Sequence, residues 1–464
     1  MAMLRNTFKK FLLISVDIAV FIIALNITFW LRNVAEADFS FAVILSQMYI
    51  FYPVFIILLL SLFIAEMYDL PIVYSRIETI SRITYAQITA SVISVLVFYL
   101  FPNYFIGSPK TLILIFTFVN ISLLSLWRIY GNNLFQNHTR FKALLIGKSQ
   151  EMHEIYEQVN SHDLYPLYFV KYFSLINGDS QQDKLFASEK VEEIIKSLQK
   201  FLTNNQIKHV VLDIRDPEVT KLLPYIYNLT SQNIKFYDMA AIYQDVFRKM
   251  PLSAIGYLWF FEHVSLETKI FDFCKRVGDL ILAIPTFILF LICLPFVWLA
   301  LKLENQGDKK IFSVQKRLGL GGKIINVYKF RTMLYTDSGK WREDLNNSNT
   351  QTKVGEILRR TNIDELPQVI NILKGEMSFV GPRNDIVSLG EKLYSEIPYY
   401  MIRYSIQPGL TGWAQTLQKE IPHTLEHSIN RFQYDLFYIK NRSLLIYLII
   451  ILRTIKALLN RIFG

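Results

Sequence analysis

The stretch KRVGDLILAIPTFILFLICLPFVWLALK, Lys275 to Lys302, decides how the rest of the chain is read. Its apolar part, Leu280 to Leu301, is long enough to cross a bilayer hydrocarbon layer of roughly 30 Å. Yet it holds Pro285 and Pro295, each of which removes a backbone donor from a helix. Cations flank it on both sides, with Lys269, Lys275 and Arg276 before it and Lys302, Lys309, Lys310, Lys316 and Arg317 after it. Membrane segments keep their Lys and Arg on the cytoplasmic side, so both flanks are expected there. A re-entrant segment that enters the inner leaflet, bends at Pro295 and returns satisfies the length, the prolines and the charges together. The alternative is a kinked fifth span, which would carry the last third of the chain outside the cell.

Working outward toward the N-terminus, four apolar stretches approach the length of about 20 residues that a membrane helix needs: Phe11 to Leu31, Phe41 to Ala65, Ile83 to Phe101 and Leu112 to Trp127. Arg5, Lys9 and Lys10 precede the first, Arg76 and Arg82 lie in the second loop, and Arg128, Arg140 and Lys142 follow the fourth, whereas the first loop carries Glu36 and Asp38. Residues 1–135 are therefore expected to form a four-helix transmembrane bundle with both ends in the cytoplasm. Composition agrees, since 52% of residues are hydrophobic, 19% are charged and the mean hydropathy is +0.27, which excludes an ordinary soluble enzyme. No small-residue cleavage site follows the first apolar stretch, so it is read as a retained span and not a signal peptide. Cys274 and Cys293 are the only two cysteines, too few for a disulfide framework or a zinc site. The net charge of +10 suits an anionic partner, whether membrane lipids, a nucleotide diphosphate or nucleic acid, without choosing among them.

From about Phe141 the pattern changes. Lys142 to Gly147, Leu167 to Ile176, His209 to Ile214 and Ile234 to Met239 read as strands, and Val191, Ile194, Ile195, Leu198, Phe201 and Leu202 recur at helical spacing. Residues 136–262 are thus expected to be a Rossmann-like α/β domain with a parallel sheet. The first turn reads Gly147-Lys148-Ser149-Gln150 and lacks the further glycines that let a backbone approach a pyrophosphate. The domain is accordingly expected to hold no nucleotide and to serve as a structural or homodimer-forming element. The same absence argues against a membrane-attached oxidoreductase or epimerase.

Residues 263–464 are expected to be an α+β catalytic domain, anchored by the re-entrant helix and by interfacial helices such as Ser443 to Phe463, where Arg453, Lys456 and Asn460 share one helical face. Ile311 to Arg317 and Lys323 to Met333 read as a hairpin around Gly319 to Gly322. Alternation in its second strand puts Lys329 and Arg331 on one face, a pair of cations that suits a diphosphate. In RRTNIDELPQ, Arg359 to Gln368, the order of Asp364, Glu365, Pro367 and then Gly375 places both carboxylates at a helix N-terminus. Anions are favoured there, including a phosphate and an ionised carboxylate. Taken alone such a pair usually only caps a helix. The turns around Gly381-Pro382-Arg383 and Pro408-Gly409 add an arginine fork suited to phosphate.

The ordered set carries more than any member. From about Lys275 to Leu459 the chain resembles the large monotopic phosphoglycosyl transferases of the bacterial sugar transferase (polyprenyl glycosylphosphotransferase) family. The resemblance rests on Lys275-Arg276 with Asp279, the proline-broken segment, Gln315/Arg317/Gly319, Tyr328 to Met333, Asp364 to Gln368, Gly375 to Arg383, Pro408-Gly409, Thr411 to Gln415, and Asp435 with Tyr438. It implies transfer of a phosphosugar from a UDP-sugar to polyprenyl (undecaprenyl) phosphate, the initiating step of polysaccharide or glycoconjugate assembly, at the cytoplasmic face of the bacterial inner membrane and with no nucleic-acid partner. It further implies that Asp364 is the nucleophile, that Glu365 binds Mg²⁺, and that Lys329, Arg331, Arg359 and Arg383 bind substrate phosphate. The chain departs from the family pattern at Asn384, at Gln407 and at Leu417-Gln418-Lys419, near the implied sugar-nucleotide site.

Overall fold

The structure, a computed structural model, describes residues 2–33, 41–65, 67–68, 76–100, 110–131, 140–162, 165, 167–173, 191–227, 229, 234–256, 269–304, 311–333, 351–418 and 424–463. Glu36, Asp38, Lys309, Lys310, Lys419, the end of the expected second strand at 174–176 and the expected domain boundaries at 135/136 and 262/263 lie outside the described residues. The chain divides into two compact units, Met1–Met239 and Ala240–Gly464.

In the first unit the apolar stretches are helices: α1 (Ala2–Asn33), α2 (Phe41–Ile64), α3 (Arg76–Leu100) and α4 (Lys110–Leu126). Among the described residues, Phe11–Leu31, Leu112–Gly131 and, in the second unit, Ile270–Glu304 are helices long and apolar enough to cross a membrane, and Phe51–Ile64 is a shorter apolar one. Aromatic rings join α1, α2 and α4, with centroids 5.7 Å apart for Phe21 and Phe55 and 6.0 Å for Phe51 and Phe116. Several buried polar groups are paired, as such surroundings favour. Asn120 donates to Gln87 at 2.8 Å. Arg128, on the π-helical turn Trp127–Gly131, reaches Asp17 at 2.5 Å, and Tyr68 donates to the same carboxylate at 2.6 Å.

The sheet of this unit contains β1 (Phe141–Ile146), β2 (Leu167–Phe173), β3 (His209–Leu212) and β4 (Lys235–Asp238), all parallel in the order β2-β1-β3-β4. Helices α5 (Gln150–Asn160), α6 (Val191–Asn204) and α7 (Pro217–Ile226) alternate with the strands. β1 buries Ala143 to Ile146 without interruption, as a strand covered on both faces should. The lone glycine of its first turn has a packing reason, because a Cβ on Gly147 would stand 2.7 Å from that of Asp213.

The second unit is organised around α9 (Lys269–Glu304), which follows α8 (Met239–Phe247). Pro285 and Pro295, the second of them the expected site of a bend, both lie inside this one helical element of 36 residues. Ala283, Phe290, Val297 and Leu301 along it belong to the unit's hydrophobic core, whereas Phe273, Ile281, Ile288, Leu291, Phe296 and Leu303 are exposed. Both ends are tied to the same fold. Arg276 donates to the carbonyls of Ile372 and Leu373 at 2.6 and 2.9 Å, Asp279 accepts from Phe379 N at 3.0 Å, and Glu304 accepts from Val354 N at 3.0 Å.

The expected hairpin is present as β5 (Phe312–Leu318) antiparallel to β6 (Ile324–Phe330), with Ser313 opposite Lys329. A second, parallel pair joins β7 (Ser378–Val380) to β8 (Gly409–Thr411). Between and around them run α10 (Lys353–Thr361), α11 (Val369–Lys374), α12 (Val387–Glu396), α13 (Trp413–Leu417), α14 (Leu425–Lys440) and α15 (Leu444–Phe463). The C-terminal helix α15 buries Tyr447 and Ile450 and exposes Leu444, Leu445, Leu448 and Ile455, with Arg453 5.4 Å above the Trp413 ring.

Candidate active site

Thr352 caps α10 by accepting from Gly355 N, and the helix ends at Asn362, whose φ of 56° lies in the left-handed region that asparagine tolerates. This reversal leads into a 3-10 turn, Ile363–Gln368, that carries Asp364 and Glu365 and runs into α11. Gly375, at φ 80°, closes that helix where the sequence placed its stop. The buried Asn371 side chain fastens α11 to β6, donating to Asn326 O at 2.7 Å and accepting from Tyr328 N at 3.3 Å. The strand bearing Lys329 is thereby held beside the turn bearing the carboxylates.

Four of the six residues singled out in sequence meet. Lys329 Nζ donates to Glu365 Oε1 at 2.8 Å, and Arg383 Nη2 donates to the same oxygen at 3.0 Å. Asp364, 8% exposed, sits next to this cluster and takes no hydrogen bond or ion pair among the described residues. Arg359 bears on Asp364 by its charge while its Nε donates to Thr332 Oγ1 at 2.9 Å. Arg331 is buried one residue beyond β6, where its backbone N–H donates to Ile311 O at 2.8 Å and continues the hairpin ladder.

The two carboxylates are in opposite electrostatic states. Burial, and then the neighbouring charge of Glu365, push the Asp364 carboxyl up to about 6 against the pull of Lys329, Arg359 and Arg383. Burial would raise Glu365 too, but Lys329 and Arg383 outweigh it and hold that carboxyl well below the usual range. Burial in turn lowers the Lys329 ammonium, opposed by Glu365.

Close backbone approach puts Arg383 in reach. A Cβ on Gly409 would stand 2.0 Å from Gly381 N, and one on Gly412 would stand 2.3 Å from Gly381 O, so only glycines let β8 seat against the turn that presents Arg383. The departures from the family pattern have structural partners. Arg317 Nη1 donates to both the carbonyl and the side-chain oxygen of Asn384, at 2.9 and 3.2 Å, and Gln407 donates to Gly375 O at 2.7 Å. Behind the site lies a buried network of Asp385, Arg403, Arg431 and Asp435. The sequence singled out only Asp435 of these. Arg431 and Asp435, four apart on the buried face of α14 beside Phe432 and Leu436, were the available signal.

A metal ion would find few protein ligands. No group of three or more His, Cys, Asp or Glu side chains suited to a metal occurs among the described residues. Mg²⁺, however, commonly takes one or two carboxylates and completes its shell with phosphate and water oxygens. The adjacent Asp364 and Glu365, with the hydrogen bonds to Glu365 all falling on Oε1, fit that use.

A family model described as Bacterial sugar transferase matches residues 270–461. The chain is similar to the UDP-N-acetylgalactosamine-undecaprenyl-phosphate N-acetylgalactosaminephosphotransferase of Aeromonas hydrophila, 33% identical over 196 residues, 42% of this chain and 46% of that protein. It thus spans less than half the length of that curated relative. It is also similar to the UDP-glucose:undecaprenyl-phosphate glucose-1-phosphate transferase of Caulobacter vibrioides, 40% identical over 191 residues, 41% of this chain and 71% of the relative. A third relative, the exopolysaccharide production protein PSS of Rhizobium leguminosarum, is 36% identical over 193 residues, 40% of this chain and 96% of that protein.

Proposed function

Because the chain belongs to the bacterial sugar transferase family, we propose that it moves a phosphosugar from a UDP-sugar to a polyprenyl phosphate, with Asp364 as nucleophile. The observation that carries the assignment is the division of labour within the pair. Glu365 is committed to Lys329 and Arg383, whereas Asp364 takes no hydrogen bond among the described residues and sits within reach of the same cations' charge. An Asp364 oxygen attacks the sugar-bearing phosphorus, the bond from that phosphorus to the UMP oxygen breaks, and UMP leaves with the electron pair. A polyprenyl phosphate oxygen then attacks the same phosphorus and expels the Asp364 carboxylate, which is regenerated. Lys329, Arg331, Arg359 and Arg383 offset phosphate charge through both steps. Glu365 would hold Mg²⁺, which would supply Lewis-acid polarisation of the diphosphate.

In this reading α1 to α4 span the bacterial inner membrane, and α9 is re-entrant with its kink at Pro295, keeping the dyad at the cytoplasmic surface. Supporting it, residues of α9 from Arg276 to Glu304 contact one and the same soluble fold. The sheet of residues 136–262 serves self-association and holds no nucleotide. The decisive experiment screens UDP-sugars with undecaprenyl phosphate and Mg²⁺ for UMP release, then traps the intermediate for peptide mass spectrometry. A phosphosugar on Asp364, and loss of activity in excess chelator that Mg²⁺ restores, are the expected results. An adduct on another residue overturns the nucleophile, and full activity in chelator overturns the metal.

A further inference from the structure

We propose that Arg403 is a positioning residue that holds Arg383 against Glu365 from inside the fold; for its effect on catalysis this rests on the transferase reading. Arg403 is almost completely buried in the 3-10 turn Tyr400–Ser405. Its Nη2 donates at 2.8 Å to the backbone carbonyl of Arg383 and at 2.8 Å to Asp435. Its Nη1 donates to Asp385 and contacts the Tyr400 hydroxyl. Asp385, two residues beyond Arg383, also accepts from Tyr400 at 3.0 Å, from Tyr404 at 2.7 Å and from Arg431 at 2.7 Å, and its own carbonyl accepts from Leu318 N at 2.9 Å. One guanidinium therefore holds this segment at two points, the backbone carbonyl of Arg383 and the side chain of Asp385.

Cost points the same way. A buried ion cluster is seldom a better core filler than apolar side chains of equal volume, because each charge must be stripped of water. What a guanidinium provides here and a leucine would not is a donor aimed at the carbonyl of Arg383. The Arg383 side chain is 35% exposed and long, so its hold on Glu365 depends on where its root is fixed.

The test compares Arg403→Lys, Arg383→Ala, the double variant and Tyr404→Phe in the full-length protein in membranes. Arg403→Lys keeps a buried cation but loses the fork, and should lower kcat/KM for the donor by about tenfold or more. Tyr404→Phe removes a bond to the same Asp385 but none to Arg383. It should stay within about twofold of wild type, although it too loosens the buried cluster. If Arg403 acts through Arg383, the double variant is no slower than Arg383→Ala alone. Multiplying losses, or equal kinetic loss in Tyr404→Phe, overturn the proposal. Should Arg403→Lys fail to fold, Asp435→Asn, which leaves Nη2 an acceptor but removes the charge that anchors it, must give the same non-additivity. A structure of whichever variant folds decides the matter independently of the reaction. There the Arg383 to Glu365 contact of 3.0 Å should be broken, and an intact contact overturns the positioning role. If wild type releases no UMP from any donor, the transferase reading falls, while the state of this contact in the variant still decides the positioning role.

Discussion

Asp364 binds its proton more tightly in the folded chain than in the unfolded one, since its carboxyl is pushed up from 3.8 to about 6. Ionising it in place therefore costs stability above about pH 6 and nothing below about pH 4, where it is protonated in both states. On the proposed role, Asp364→Asn should abolish turnover and add up to about 3 kcal/mol of stability at pH 8, read as a higher melting temperature. That gain should vanish as pH falls to 4; the measurement is thermal unfolding without donor or divalent ion, and a variant less stable than wild type at pH 8 contradicts it. Since the nucleophile must be ionised, the turnover of wild type should fall about tenfold per pH unit below about 6. The carboxylate pair was legible in sequence because Pro367 and Gly375 mark the start and stop of a helix whatever surrounds them. The partners Lys329 and Arg383 were legible only as candidates, since a strand periodicity says which face a side chain takes and not what stands opposite. Arg403 was not legible at all, because a lone arginine in a short turn reads as solvated, and its burial is created by Asp385 and Asp435 arriving from distant segments.

Among the elements, the β5–β6 hairpin and the strands of the four-stranded sheet were readable from alternation and turn residues. The parallel pairing of β7 with β8 was not, because three-residue strands carry no periodicity, and only the crowding of Gly381, Gly409 and Gly412 reveals it. Gly409→Ala should accordingly destabilise by about 3 kcal/mol or more, as backbone atoms cannot yield like a flexible side chain. Thermal unfolding reads this directly, and a loss under about 1 kcal/mol would show that the approach can relax. Both prolines of α9 were legible as helix-weakening positions, and both lie inside its one helical element. Its topology is a separate matter. Cysteines placed singly at Lys269 and Asp308 should both be labelled only from the cytoplasmic side, and labelling of Asp308→Cys from outside intact cells would show that the segment spans.

For the whole molecule, the division at Met239/Ala240 and the family match over residues 270–461 put the candidate chemistry in one unit. Residues 240–464 expressed alone should retain UMP release within about tenfold of the full chain when reconstituted in lipid, because every side chain of the dyad and its cations lies in that unit. Loss of all activity in a folded fragment would assign the first unit a part in the reaction. The grip of one soluble fold along α9, whose other face is apolar, has a further consequence for how the acceptor is found. On the re-entrant placement proposed for α9, such a body neither tumbles nor leaves, so its encounters with the proposed lipid-borne phosphate are lateral diffusion in a plane at fixed depth and orientation. The relevant concentration is then molecules per unit area of leaflet: diluting the acceptor with inert lipid should slow the reaction, whereas enlarging the aqueous volume at constant donor concentration should not.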